Sequence, residues 1–164
     1  AACMALANSV HDVLTMERDE TVLIRDAVKM RADMAKHKPA AGPLDVKLAE
    51  GGLVDLEFLV QVTQVRSHEG LLPDLGASVR ALTAENLLPA GLADAYDLLT
   101  RYLIVSRLVS PASTEPPEAA RALVAGRCGA RNWDDLLARI EKARQRVAES
   151  WSAVAAAAAQ DKED

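Results

Sequence analysis

Residues 45–64 read Asp-Val-Lys-Leu-Ala-Glu-Gly-Gly-Leu-Val-Asp-Leu-Glu-Phe-Leu-Val-Gln-Val-Thr-Gln. The second half of this stretch decides the fold. From Leu53 to His68 the apolar residues Val54, Phe58, Val62 and Val65 make one flank at helical spacing, while Leu53, Leu56 and Val60 make another. A helix that is apolar on several sides is a buried, central one, so other helices must surround it. Just upstream, Leu44-Asp45-Val46-Lys47-Leu48 alternates apolar and polar residues, the pattern of a short extended segment, and Gly51–Gly52 closes it.

Outward from this core, period 3.6 dominates in both directions. Leu23, Ala27, Met30 and Met34 mark an amphipathic helix from Asp19 to His37, with Asp19 as its N-cap and Pro39 as its stop. A shorter helix over Ala5–Met16 precedes it. Downstream, helices are predicted over Gly76–Asn86, Leu92–Val109 and Glu118–Gly126, with Ser110–Pro117 as a loop. The last helix starts after the cap Asn132, and its stripe is Trp133, Leu137, Ile140, Val147, Trp151 and Val154, interrupted by Arg144. Both tryptophans read as core fillers. Strand patterning is nearly absent. The expected fold is all-α, a bundle of about six to seven helices with one short extended segment before the Gly-Gly turn. Residues 1–164 form a single helical domain, of which 155–164 are expected to be a frayed tail.

Composition narrows the function classes. Of 164 residues, 50% are hydrophobic, which excludes wholesale disorder, and only 3% are aromatic. The 19 basic and 24 acidic side chains give a net charge of −5, opposite to the balance of a protein that grips nucleic acid by its phosphates. No run reaches the roughly 18 apolar residues that a membrane helix requires. Neither nucleic acid nor membrane is therefore an expected partner. Cys3 and Cys128 have no metal-ligand spacing, and His11, His37 and His68 form no His-x-x-x-His pattern. No metal site is expected, and the cytoplasm is the expected location. The first residues, Ala1-Ala2-Cys3-Met4, read as the inside of an alanine-rich helix, which creates the expectation of a piece cut from something longer.

Three features of residues 45–68 could carry chemistry. Paired glycines before a helix N-terminus, with Lys47 nearby, could meet a phosphate. The alternative is that Gly51 and Gly52 simply turn the chain and Lys47 is solvated. Glu57, Gln61, Gln64 and His68 fall at i, i+4, i+7 and i+11, a polar ridge that is either a contact line or a solvated face. Asp55 lies nearly opposite that ridge, and in so apolar a helix its carboxylate should find a partner, most simply a salt bridge.

At this point the stretch becomes recognisable. Asp45, Lys47, Gly51, Gly52, Asp55, Glu57, Phe58 and Gln61 resemble the signature of the glutamine-synthetase adenylyltransferase family, approximately (D/N)-(I/L/V)-K-x3-G-G-(I/L)-x-(D/E)-(I/L)-E-F-x2-Q. The stretch LTMERDETVLIRDAVKMRADMAKHK before it, and HEGLLPDL and RVAESW after it, are also similar to family segments. Such enzymes are two-headed, each half pairing a nucleotidyltransferase domain with an all-helical one. One half removes AMP from glutamine synthetase and the other attaches it, under control of the PII signalling protein and glutamine. The VDLEF reading and the ending soon after the last helix resemble the C-terminal, adenylylating half.

The family's Gly-Ser motif and metal-binding Asp-x-Asp pair have no counterpart here. The resemblance therefore implies no catalytic residue in this chain, and places ATP and Mg2+ with an upstream nucleotidyltransferase domain. It further implies that Lys47 faces the nucleotide phosphates and that the Gly51–Gly52 turn fits beneath that domain. Asp55, Glu57, Gln61 and Gln64 become candidates for the surface facing that domain or a partner, glutamine synthetase and PII among them. Two other readings stay open: a freestanding helical adaptor, and the equivalent helical domain of a PII uridylyltransferase.

Overall fold

The computed structural model describes residues 2–110 and 115–160. Over them the chain forms seven α-helices: α1 (Ala2–Leu14), α2 (Glu20–His37), α3 (Leu53–Ser67), α4 (Leu75–Ala84), α5 (Leu92–Val109), α6 (Glu118–Arg127) and α7 (Trp133–Gln160). No strand occurs among the described residues, as the all-α reading expects.

Local chemistry explains where these helices begin. The Asp19 carboxylate accepts from the Val22 N–H at 2.9 Å to start α2, and Asp74 does the same for α4 through Ala77 at 2.7 Å. Side-chain capping of an otherwise orphaned N–H fixes a helix start. The Asp74 cap moves the start of α4 ahead of the expected Gly76. Asn132 caps α7 by accepting from Asp135 at 2.8 Å. The neighbouring Asp135 carboxyl is held below its usual range, first by the Arg131 backbone N–H and then by the Arg131 side chain.

Helix α7 is the spine. Its 28 residues extend about 42 Å at the usual helical rise, and along that length it packs on α2, α3, α5 and α6. Helix α3 sits inside, against α2, α4, α5 and α7. The main core joins Leu56, Leu59 and Val60 of α3 to Val79 and Leu82, Leu99 and Tyr102, Val124, and Leu136, Ile140 and Val147. A smaller cluster of Ile24 and Val62 seats α2, with Trp151 and Val154 packed over it. Phe58 and Trp151 meet at 6.0 Å between ring centroids. Trp133 packs on the main core with Arg121 over its ring. Tyr102 is buried deeply enough that desolvation pushes its hydroxyl up to about 12, and burial likewise raises the Cys128 thiol.

One expectation needs correction. Residues 44–48 are not extended. They form successive turns, with the Ala49 N–H donating to the Asp45 carbonyl at 2.9 Å, while Val46 is driven into the core at 0% exposure. Within the tail expected over 155–164, α7 continues through Gln160. Residues 161–164 of that expected tail, and 111–114 of the expected loop, lie outside the described residues. No helix of the described residues is long and apolar enough to cross a membrane.

Helix α1 stands apart from this bundle. Met4, Leu6, Val10 and Val13 on it are between 50% and 72% exposed, and it packs substantially on no other helix. Deleting α1 should therefore change the unfolding free energy of the remaining chain by less than about 0.5 kcal/mol, the range typical of surface changes. Urea melts of the two lengths measure this, and an early melt of the shortened chain would show α1 to be structural.

Candidate functional site

The site grows out of residues 42–52, where the chain turns back on itself before entering α3. Asp45, 4% exposed, organises the turn. Its carboxylate accepts from the N–H groups of Ala41 at 3.1 Å, Lys47 at 3.3 Å and Leu48 at 3.2 Å. A short acidic side chain folding the backbone around itself in this way is a turn-maker. Val46 points inward as the apolar anchor, and Lys47 is left exposed at the tip.

The N-terminus of α3 is already satisfied from within. Gly52 donates to the Ala49 carbonyl at 2.8 Å, Leu53 to Val46 at 2.9 Å and Val54 to Lys47 at 3.1 Å. The Gly51 N–H donates to the carboxylate of Asp55. No donor among these four is left for an anion. Within this chain the Gly-Gly turn has a packing role. Gly51 has φ +70, and a Cβ there would lie 2.1 Å from the Arg144 carbonyl oxygen. A Cβ on Gly52 would lie 2.6 Å from the Val46 carbonyl oxygen. The close approach is to this chain's own backbone.

Asp55, grouped by sequence with the partner-surface candidates, is interior at 3% exposure. It finds the expected salt bridge. The Nε of Arg31 on α2 donates to Oδ1, and Oδ2 takes the Gly51 N–H. Arg31 also donates through Nη2 to the Leu48 carbonyl at 3.2 Å. One carboxylate and one guanidinium therefore join α2, the turn and α3.

A second arginine holds the same turn from another helix. Arg144 of α7, 16% exposed in its side chain, donates from Nε at 3.0 Å and Nη2 at 2.8 Å to the Glu50 carbonyl. Its Nη1 reaches the Pro43 carbonyl at 3.0 Å. In the sequence this residue only interrupts an apolar stripe. Its partners lie 94 and 101 residues away, which no local pattern reveals.

The polar ridge of α3 divides in two. Glu57 and Gln61 are exposed, with the Gln61 amide donating to the Glu57 carboxylate at 3.4 Å. Gln64 turns inward instead, donating from Nε2 to the Gly70 carbonyl at 2.6 Å and the Ser78 hydroxyl at 3.0 Å. His68 caps the helix end with a left-handed backbone, φ 59. The outward set is thus Lys47, Glu57 and Gln61. Beside the Arg144 clamp opens a concavity of about 320 Å³, walled by Pro43, Leu44, Leu137 and Ile140 with Glu115 and Glu141 at its edge. Among the described residues, no group of three or more His, Cys, Asp or Glu side chains is placed to hold a metal ion.

Two substitutions test this account by thermal or urea unfolding of the chain. Asp55→Ala leaves Arg31 charged and unpaired in the interior, and should cost about 3–5 kcal/mol. Gly51→Ala combines a left-handed backbone with a backbone collision, and should cost more than about 2 kcal/mol. A near-wild-type melt for either would mean that the turn is not held as described.

Comparison with known proteins gives the family. The family model described as GlnD PII-uridylyltransferase matches residues 23–155, from α2 through most of α7. Among curated relatives, a bifunctional glutamine synthetase adenylyltransferase/adenylyl-removing enzyme of Rhizobium meliloti (strain 1021) is 31% identical over 83% of this chain and 15% of its own length. The protein of that name from Caulobacter vibrioides is 31% identical over 79% of this chain and 14% of its own. One from Xanthomonas campestris is 40% identical over 55% of this chain and 10% of its own. The chain thus spans no more than 15% of the length of these relatives. With its model running across the bundle and the turn at Lys47, the family described as GlnD PII-uridylyltransferase is the one to which this chain belongs.

Proposed function

We propose that this chain is the helical companion domain of an enzyme that transfers AMP from ATP to a tyrosine of glutamine synthetase, and so regulates nitrogen assimilation in the cytoplasm. It packs against a nucleotidyltransferase domain through the face that carries Lys47, Glu57 and Gln61. The observation that supports this is the division within one short stretch. Asp45, Gly51, Gly52 and Asp55 are buried and occupied in building the turn, whereas Lys47, Glu57 and Gln61 are exposed. The Lys47 ammonium makes no ion pair among the described residues. Residues that the fold does not use are free to serve another surface.

An exposed ammonium on a fixed turn fits a polyphosphate, since a point charge with three donors is what Lys offers. ATP with Mg2+ supplies the adenylyl group. The described residues hold no donor cluster suited to that cation, so its ligands are assigned to the nucleotidyltransferase domain. Lys47 then draws phosphate charge toward the turn, and Glu57 with Gln61 meets polar groups of the facing domain. PII is a further partner in this scheme, as the regulator.

The description of the matched family favours a second reading, the equivalent helical domain of a PII uridylyltransferase. The two differ in nucleotide and acceptor. Full-length enzyme carrying this chain, given labelled ATP or UTP with purified glutamine synthetase or PII, should label glutamine synthetase from ATP. Label on PII from UTP would select the second reading, and no label on either would favour a freestanding adaptor. The isolated chain should label nothing. In the full-length enzyme, Lys47→Ala should slow transfer by about tenfold to a hundredfold, the scale for losing one well-placed charge donor, with the melting temperature of the domain unchanged. A lowered melting temperature at full activity would make Lys47 structural.

A further inference from the structure

We infer that Arg144 is a positioning residue for Lys47: from α7 it fixes the turn on which that ammonium stands. The inference rests on the proposed role of Lys47. It goes further by naming what sets the ammonium's place.

An exposed lysine on a turn has four rotatable side-chain bonds, and a loose backbone beneath it would spread the charge over a wide volume. Here the backbone beneath is tied at both limbs. Pro43 lies before Lys47 and Glu50 after it, and a single guanidinium donates to the carbonyls of both limbs. The planar, forked donor set of Arg allows one side chain to hold two acceptors at fixed angles, which the single ammonium of Lys does not reproduce. The other limb contacts are independent of α7: Arg31 on the Leu48 carbonyl and Asp45 on three N–H groups. Among the described residues, the side-chain hydrogen bonds from α7 to the turn are those of Arg144.

The setting of Arg144 argues for this role over packing. It stands among buried apolar positions of α7, between Ile140 and Val147, with Ala143 beside it. A leucine would continue that stripe and bury apolar surface. Instead a charge is largely withdrawn from water, at 16% side-chain exposure, and met by two neutral carbonyls and the exposed Glu141 carboxylate at 3.5 Å. Neutral carbonyls compensate a buried charge only partly. Stability alone does not call for arginine at this position; a fixed geometry of the turn does. The backbone of Arg144 contributes as well, because its carbonyl oxygen occupies the space that any side chain on Gly51 would need.

The test is a double-mutant cycle in full-length enzyme, assayed for adenylyl transfer to glutamine synthetase. Lys47→Ala, Arg144→Lys and the double variant are compared. Arg144→Lys keeps the charge and should lower transfer by about tenfold or more, as misplacing a reacting group does. The loss should fall on kcat and on KM for ATP, with KM for glutamine synthetase unchanged. The double variant should be no slower than Lys47→Ala alone within about twofold, the scatter expected of such cycles. Amide exchange at Lys47 and Leu48 should quicken in Arg144→Lys while the core amides of α5 hold. Wild-type transfer in Arg144→Lys, or independent losses that multiply in the double variant, overturns this inference and leaves the proposed role of Lys47 standing. Full transfer in Lys47→Ala overturns both. If Arg144→Lys melts early, Arg144→Gln, which retains a single amide donor group, takes its place in the same cycle.

Discussion

The buried carboxylate of Asp55 is the constraint on which the rest of the structure depends. Placed without partners inside an apolar helix, it would be among the costliest groups in the chain. Its two oxygens meet Arg31 on α2 and the N–H of Gly51. Satisfying that one charge brings a second helix alongside α3 and folds the preceding turn back over its N-terminus. The second nitrogen of Arg31 then takes up the Leu48 carbonyl, so the turn is shaped by the same pair that seats α2. The left-handed backbone at Gly51, φ +70, is what lets its N–H point at Asp55.

Around that centre the architecture is a matter of which helices can reach α3 and α7 together. Helix α7 carries Leu136, Ile140 and Val147 to the main core and Trp151 to the smaller one under α2. The turn bearing Lys47 is therefore supported on two sides by different means. On the α2 side an ion pair in the interior does the holding, and on the α7 side a guanidinium donates to neutral carbonyls. Such a mixture leaves few buried polar groups without partners, in keeping with the general demand for their satisfaction.

Much of this was legible in the sequence, and the remainder fails for identifiable reasons. The limits of α5, Leu92–Val109, follow from its apolar period alone, and Asp19 and Asn132 announce their helices because capping is a local interaction. That Asp55 needs a partner was also readable, from burial cost. Which of the several cations on α2 supplies it was not, because α2 presents Arg25, Lys29, Arg31 and Lys36 and only tertiary packing selects one. Arg144 carries no local signal because its partners are distant in sequence. Residues 44–48 misled for a subtler reason. Alternation of apolar and polar residues signals an extended strand only if backbone partners are available. Here the polar member Asp45 supplies its own to the local N–H groups, and Val46 finds its apolar surroundings through a turn.

The division of the Asp45–Gln61 stretch changes what a match to it tells a reader of other genomes. Asp45, Gly51, Gly52 and Asp55 would be retained by selection for folding alone, in any protein that keeps this bundle, whatever reaction accompanies it. Their presence diagnoses an architecture. Lys47, Glu57 and Gln61 are held by no such demand, so they can drift wherever the outward face has lost its task. A relative that preserves the four buried positions and varies the three exposed ones would score well as a family member yet, under the proposed function, be a poor candidate for the same activity. Under the proposed function, its transfer between relatives should weigh those three positions above the more noticeable glycines.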